Sequence, residues 1–293
     1  MRALITGSAG FVGRHMQAEL EQRGWEVNGV DIADHASNDA VDYFRRYTGY
    51  FAYDLVVHAA ASAPHRNAID HEHGHFARNV QLDAAMFDWA VRTGQKRVLY
   101  LSSSAAYPQA LQDVAAGGWR LAEDDISLTD AEEPDSEYGW AKLTGERMAA
   151  AARRAGLPVT VVRPFSGYGE DQSPDFPFTA ILERAKRQDR PLEIWGSGDQ
   201  TRDWIHISDV VNAALAVVET GVEEPVNLCT GRGVTMRELA TMAAHAVGYE
   251  PRIKALPDKP AGVLHRVGDP TRLHAYYEPK VTLEEGIERA LRR

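Results

Sequence analysis

The chain opens on a short apolar, β-prone run, ALITG (3–7), which breaks at once into glycines: Gly7, Gly10 and Gly13 in G-S-A-G-F-V-G. RHMQAELEQRG follows, with apolar Met16 and Leu20 four residues apart and Gly24 as a helix stop. EVNGVDIAD then predicts a second strand ending at Asp31. The stretch from 33 to 52 is short for a full strand–helix unit and predicts only an abbreviated third strand. DLVVHAAA (54–61) predicts a strand that opens into small residues, and NVQLDAAMFDWAVRTG a helix starting at Asn79. RVLYLSSS (97–104) predicts another strand, with serines at its carboxyl end.

Strand, glycine turn, helix and strand in that order make the first loop meaningful. Glycines let the backbone approach a pyrophosphate. The helix start at Phe11 and Val12 offers unpaired N–H groups and a partial positive charge. An acid at position 31 can accept hydrogen bonds from ribose hydroxyls and repels a 2′-phosphate, which predicts NAD over NADP. Asp39 or Asp42 could meet the adenine edge, Asp39 being favoured, and the small residues Ala59, Ala60 and Ala61 would let the chain pass close to the cofactor sugars. The predicted class is α/β: a Rossmann-type doubly wound parallel sheet, followed by a smaller C-terminal region.

EYGWAK (137–142) places Tyr138 four residues before Lys142, on one face of a helix. A phenol beside an ammonium is either surface decoration or an acid/base, because a nearby cation favours the phenolate. The hexapeptide alone leaves both readings open.

Composition narrows the partners. The chain has 293 residues and a net charge of -10, which disfavours non-specific binding to nucleic acid or to a membrane surface. A single cysteine, Cys229, allows no internal disulfide and points to a reducing cytoplasm. No run of about twenty apolar residues predicts a membrane span, and the glycine-broken N-terminus is not read as a signal peptide.

The glycine loop, the strand end SSSAAYP and the EYGWAK helix together resemble the extended short-chain dehydrogenase/reductases, in their NAD-dependent epimerase/dehydratase branch that acts on nucleotide sugars. RPFSGYG (163–169), WGSGDQTRDWIHISD (195–209), EPVNLCTG (224–231) and EPKVTLEEGIERAL (278–291) resemble its later segments, so the likeness covers nearly the whole chain. It implies Tyr138 as the acid/base at a sugar hydroxyl. Lys142 would hold the nicotinamide ribose, and Ser103, with Ser104 as fallback, would bond the same sugar oxygen. Tyr107 would be a pocket wall. Asn79 and Pro164 would join the cofactor contacts, and Ser104, Ser166, Trp195, Arg202 and Lys259 the substrate contacts, with Arg202 on the diphosphate and Arg266 as an alternative cation. Ser166 stands where the family usually has asparagine, and Lys259 where it often has arginine.

Losing a proton and a hydride from one sugar carbon needs a base and the nicotinamide at that carbon together. Ser104 and Ala105 stand where the dehydratases carry Asp-Glu, and Ala105 where GDP-sugar epimerase/reductases carry cysteine, so the resemblance favours 4-epimerisation. Other NAD-dependent oxidations of a nucleotide sugar, or a non-catalytic NAD sensor, are the alternatives. Residues 1–165 with about 200–230 are expected to hold NAD, and 166–293 mainly the substrate. The resemblance also implies a homodimer through a four-helix bundle built from the helices at 79–93 and 141–156.

Three stretches carry weaker signals. His71, His73 and His75 alternate as on one strand face, a spacing open to zinc, but NAD chemistry needs no metal and none is expected. The acidic stretch 121–137 reads as mostly solvated loop, and the insertion ahead of it as a possible lid.

Overall fold

The computed structural model describes residues 1–34, 39–47, 51–62, 74–113 and 119–293. Its first half runs β1 (Arg2–Thr6), α1 (Phe11–Gln22), β2 (Glu26–Val30), α2 (Ala40–Arg46), β3 (Leu55–His58), α3 (Gly74–Arg92), β4 (Val98–Leu101), α4 (Glu137–Arg154) and β5 (Val159–Pro164). The second half runs β6 (Ser166–Tyr168), α5 (Pro177–Lys186), β7 (Leu192–Trp195), β8 (Thr201–His206), α6 (Ile207–Thr220), β9 (Val226–Leu228), β10 (Gly233–Thr235), α7 (Met236–Ala246), β11 (Ile253–Leu256), β12 (His265–Arg266) and α8 (Leu283–Arg292).

Six parallel strands form the main sheet in the order β2-β1-β3-β4-β5-β9. Helices cover both faces, so the central strands β3 and β4 are buried along their whole length rather than alternating. Two cores result. Ile5, Val57, Leu99 and Val162 meet Met16 and Leu20 of α1 and the apolar helix α6 on one face. Leu4, Val56, Tyr100 and Val161 meet α2, α3 and Ala149 and Ala152 of α4 on the other. The chain runs outward from β1 to β2 and then in the opposite direction through β3, which puts a crevice at the carboxyl ends of β1 and β3.

The second half supplies two small sheets, β10-β8-β12 with β6 on β8, and the pair β7–β11. Phe178, Leu182, Trp204, Leu239 and Ile287 form their core. The later segments α6 and β9 return to the main sheet. Buried Asp209 at the start of α6 accepts from the Tyr277 hydroxyl at 2.7 Å and from the backbone of Lys280 and Val281, which pins the C-terminal segment.

Several expectations are corrected. Among the described residues no strand lies between Val30 and Leu55; the apolar spacing of Ala40, Val41 and Phe44, capped by Asp39, makes a short helix instead. Helix α3 begins at Gly74, not Asn79, and Asn79 sits inside it. His75 therefore lies on a helix rather than a strand face, while His71 and His73 fall outside the described residues. The acidic stretch is partly interior: Leu121 is buried, and the buried Glu123 carboxylate accepts from Asn227 N at 2.9 Å. Part of the suggested lid, residues 114–118, also lies outside the described residues.

Candidate active site

The glycine turn forms because only glycine fits it. Gly7 has φ +73°, and a Cβ there would come 2.6 Å from Ala60 N. A Cβ on Gly13 would overlap the Gly7 carbonyl oxygen. The turn is thereby pressed against the Ala59–Ala60 segment that leaves β3, and Ala59 N donates to Thr6 O at 3.0 Å. Gly10 caps α1 with no side-chain acceptor, so the first-turn N–H groups of Phe11, Val12 and Gly13 keep no side chain of their own at the cap. Asp31 stands directly after β2, with Oδ2 accepting from Ala9 N at 3.0 Å and Oδ1 from Ala33 N at 2.8 Å. A tight glycine cradle, an open helix start and an acid at the next strand end fit the pyrophosphate and the ribose of NAD.

Two predicted cofactor contacts are spoken for by the protein. Asp39 caps α2, accepting from Val41 N at 2.9 Å, and pairs with Arg78 of α3. Asn79 is buried and holds Ser62 after β3 from both sides, its Oδ1 accepting from Ser62 N and its amide donating to Ser62 O. The Ser62 hydroxyl in turn meets His75 Nδ1 at 2.6 Å. Asn79 thus shapes the segment beyond Ala61. Among the described residues no group of three or more His, Cys, Asp or Glu side chains is placed to hold a metal ion.

Ser136 caps α4, its hydroxyl accepting from Gly139 N, and fixes the helix start one residue before Glu137. Tyr138, half-buried, and Lys142, buried, then share one face, with the ammonium 5.7 Å from the Tyr138 ring centre. Lys142 Nζ donates to Leu101 O, at the end of β4, at 2.9 Å. Ser103 follows that strand end and caps a single 3-10 turn over 104–106, its hydroxyl accepting from Ala105 N at 3.1 Å. A Cβ on Gly139 would overlap Ala105 O, so the Ser103 turn lies against the first turn of α4. Ser103 remains half-buried, whereas Ser104 and Ala105 are buried.

Tyr107 is no pocket wall. It is fully buried, its hydroxyl donating to Asn227 Oδ1 at 2.8 Å and accepting from Arg163 at 3.2 Å. Burial pushes its phenol well above the ordinary tyrosine range, although Arg163 pulls the other way. Arg163 is the centre of a buried network: it grips Glu146 of α4 with two nitrogens, and the Ser102 hydroxyl donates to Glu146 at 2.5 Å. Sequence reasoning missed this support. Its signal was an arginine inside the apolar run VTVVRPF and a glutamate four residues past Lys142 on the same helix face.

On the substrate side, Pro164 ends β5 and Ser166 begins β6, both half-buried. Lys259 Nζ stands 5.6 Å from the Trp195 ring centre. The guanidinium of Arg202 donates to Thr201 O at 2.9 Å and Ala261 O at 3.3 Å. Trp195, Arg202 and Lys259 are therefore brought together around the segment 259–262. Arg266 lies beside Arg202 in register, but its guanidinium is engaged by Gln112 at 2.5 Å and by Asp135. Cys229 is buried and far from any role as a proton carrier: burial, with Asp203 and Glu123 nearby, holds its thiol well above the usual range.

The sequence profile of the NAD dependent epimerase/dehydratase family matches residues 3–229. The chain belongs to that family. It is similar to the dTDP-4-dehydro-6-deoxy-D-allose reductase of Streptomyces bikiniensis, with 30% identity over 99% of this chain and 94% of the relative. The solved UDP-glucose 4-epimerase of Thermotoga maritima with UDP-glucose superposes with TM-score 0.87 at 26% identity, over 100% of this chain and 98% of that one. MoeE5 in complex with UDP-glucuronic acid and NAD superposes with TM-score 0.83 at 28% identity, over the same shares. The family is NAD-dependent and its members modify nucleotide sugars, which accords with the Rossmann-type sheet and the glycine cradle of this chain.

Proposed function

We propose that the protein is an NAD-dependent nucleotide-sugar epimerase that inverts the C4 hydroxyl through a transient ketone. The observation that carries this reading is the convergence of Tyr138, Lys142 and the Ser103 turn beside the crevice of β1 and β3. Bound NAD supplies a hydride acceptor that returns what it takes, so no external reductant is consumed. Tyr138 takes the proton of the C4 hydroxyl and gives it back after the sugar has turned its other face. Ser103 orients that oxygen. Lys142 holds the nicotinamide ribose and keeps a positive charge near the phenol. Gly7, Gly10, Phe11, Val12 and Gly13 cradle the pyrophosphate, and Asp31 selects the ribose hydroxyls of NAD. Arg202 takes the diphosphate of the substrate, with Lys259, Trp195 and Ser166 around it.

Elimination of water is disfavoured because Ser104 and Ala105 are buried and neither can act as an acid/base. One specific observation favours a second reading, net reduction of a 4-keto sugar: the 30% identical relative is a reductase. A reductase uses only the return half of the same chemistry and needs external reductant.

On this reading residues 1–165, with about 200–230, hold the cofactor, and 166–293 mainly the substrate. We further propose a cytoplasmic homodimer joined through α3 and α4. These helices pack side by side and leave Ala77, Ala84 and Ala151 exposed, small residues that let a second pair of helices approach.

The test is Tyr138→Phe. NAD should be retained while epimerisation falls about 10²- to 10⁴-fold. Unchanged turnover would remove Tyr138 from the chemistry, and an unaltered protein with no turnover before or after substitution would favour a non-catalytic NAD-binding role.

A further inference from the structure

Lys142 is seated by the last two residues of β4. Its ammonium donates to the Leu101 carbonyl and stands 5.1 Å from the centre of the Tyr100 ring, in a side chain only 2% exposed. Among the described residues no carboxylate lies within ion-pair distance of it. A buried cation in that setting needs a counter-charge.

The hydroxyl end of the same tyrosine carries a buried carboxylate. The Tyr100 hydroxyl donates to Asp83 Oδ2 at 2.6 Å, and Asp83, on α3, is 1% exposed. The other carboxylate oxygen meets His58 Nε2 at 3.1 Å, and His58 Nδ1 meets Thr6 Oγ1 at 2.7 Å. With neutral His58 donating from Nε2, the Thr6 hydroxyl donates to Nδ1, and the whole chain is satisfied with Asp83 ionised. Helix α4 is shaped around this arrangement. A Cβ on Gly145, three residues past Lys142, would overlap the Tyr100 hydroxyl.

We propose that Tyr100 and Asp83 are positioning residues for Lys142: one aromatic ring presents its face to a buried cation and its hydroxyl to a buried anion. Hydrogen bonding to a carboxylate makes the phenol ring more electron-rich, which strengthens its hold on the ammonium. Burial, and then Asp83, push the Tyr100 phenol far above its ordinary range, so it stays protonated and remains a donor. The arrangement joins β1, β3, α3 and β4 beneath the catalytic helix.

This inference rests on the reading of Lys142 as the residue that holds the nicotinamide ribose. The experiment compares Tyr100→Phe, Tyr100→Leu and Asp83→Asn in the full chain by fluorescence titration with NADH, alongside thermal melting and turnover. Tyr100→Phe keeps the ring but loses the bond to Asp83 and should weaken NADH about threefold. Tyr100→Leu removes the ring and should weaken NADH roughly tenfold, with turnover falling in the same order. Asp83→Asn removes the charge at nearly constant shape and should weaken NADH about threefold to tenfold; it serves if Tyr100→Leu does not fold. Equal NADH affinity in the Phe and Leu variants, or in Asp83→Asn and the parent, overturns the assignment. A parent that binds NADH but converts no nucleotide sugar would instead overturn the proposed function, while the affinity comparison would still stand.

Discussion

Arg163 and Glu146 meet as a two-pronged ion pair between β5 and α4, Nε to Oε1 at 2.9 Å and Nη2 to Oε2 at 2.7 Å, with both side chains all but closed to solvent. Breaking such a pair from one side leaves a bare buried charge. Glu146→Leu or Arg163→Met alone should cost about 3–5 kcal/mol of unfolding free energy. The double variant should recover part of that loss, because no charge is stranded. Denaturant unfolding of the two single variants and the double variant checks this; strictly additive losses would contradict it.

Helix α1 is latched to the loop after β6. Arg14 Nε and His15 Nε2 each lie 2.9 Å from the Asp171 carboxylate. Partial burial would raise that carboxyl, but the hydrogen bonds from Arg14 and His15 outweigh it and hold it below the ordinary aspartate range. A carboxyl depressed in the folded state adds stability above its unfolded value and loses it as pH falls through the folded one. Asp171→Asn should therefore be less stable at neutral pH, by up to about 1 kcal/mol. The difference should vanish in acid. Melting temperatures of both proteins from neutral pH down to the acid limit test the sign.

Cys229 is fully buried and its thiol is held protonated by burial and by neighbouring carboxylates. A thiol reagent at mildly alkaline pH should leave the native protein unmodified and label one cysteine per chain quickly after denaturation. Rapid labelling of the native protein would contradict the burial.

Gly13→Ala should abolish NAD retention, because the added methyl overlaps the Gly7 carbonyl in the tightest part of the cradle. Gly24→Ala is the control: its positive φ is strained by alanine, but no atom lies within 4 Å of the new Cβ. It should lose some stability and keep NAD. Mass spectrometry of the denatured proteins reads both outcomes.

Local patterns in the sequence were strongest where the structure is local. The β1 turn, α1 and β2 follow from periodicity and glycines within one short stretch, and Tyr138 and Lys142 share a face because helical spacing dictates it. Helix α2 was missed because seven residues are too few for periodicity to separate helix from strand. The start of α3 was misplaced because it opens on Gly74, a weak helix former, and on His75, which the alternation of histidines at 71, 73 and 75 assigned to a strand face. The interior fate of Tyr107, and the links from Arg163 to Glu146 and from Tyr100 to Asp83, join residues on different elements. Periodicity says which face is buried but not which polar group waits there. The arrangement around Arg202, Lys259 and Trp195 is assembled from three separate segments, so the resemblance named the residues without showing how they meet.

The most direct measurement is a panel of UDP-, GDP- and dTDP-hexoses incubated with the purified protein without added cofactor and followed by NMR for the C4 epimer. NAD should be released on denaturation, and one member of the panel should reach an equilibrium mixture of two C4 epimers. Turnover only with external NAD and accumulation of NADH would contradict epimerisation and make the protein a dehydrogenase, and NADP in the denatured extract would contradict the role given to Asp31.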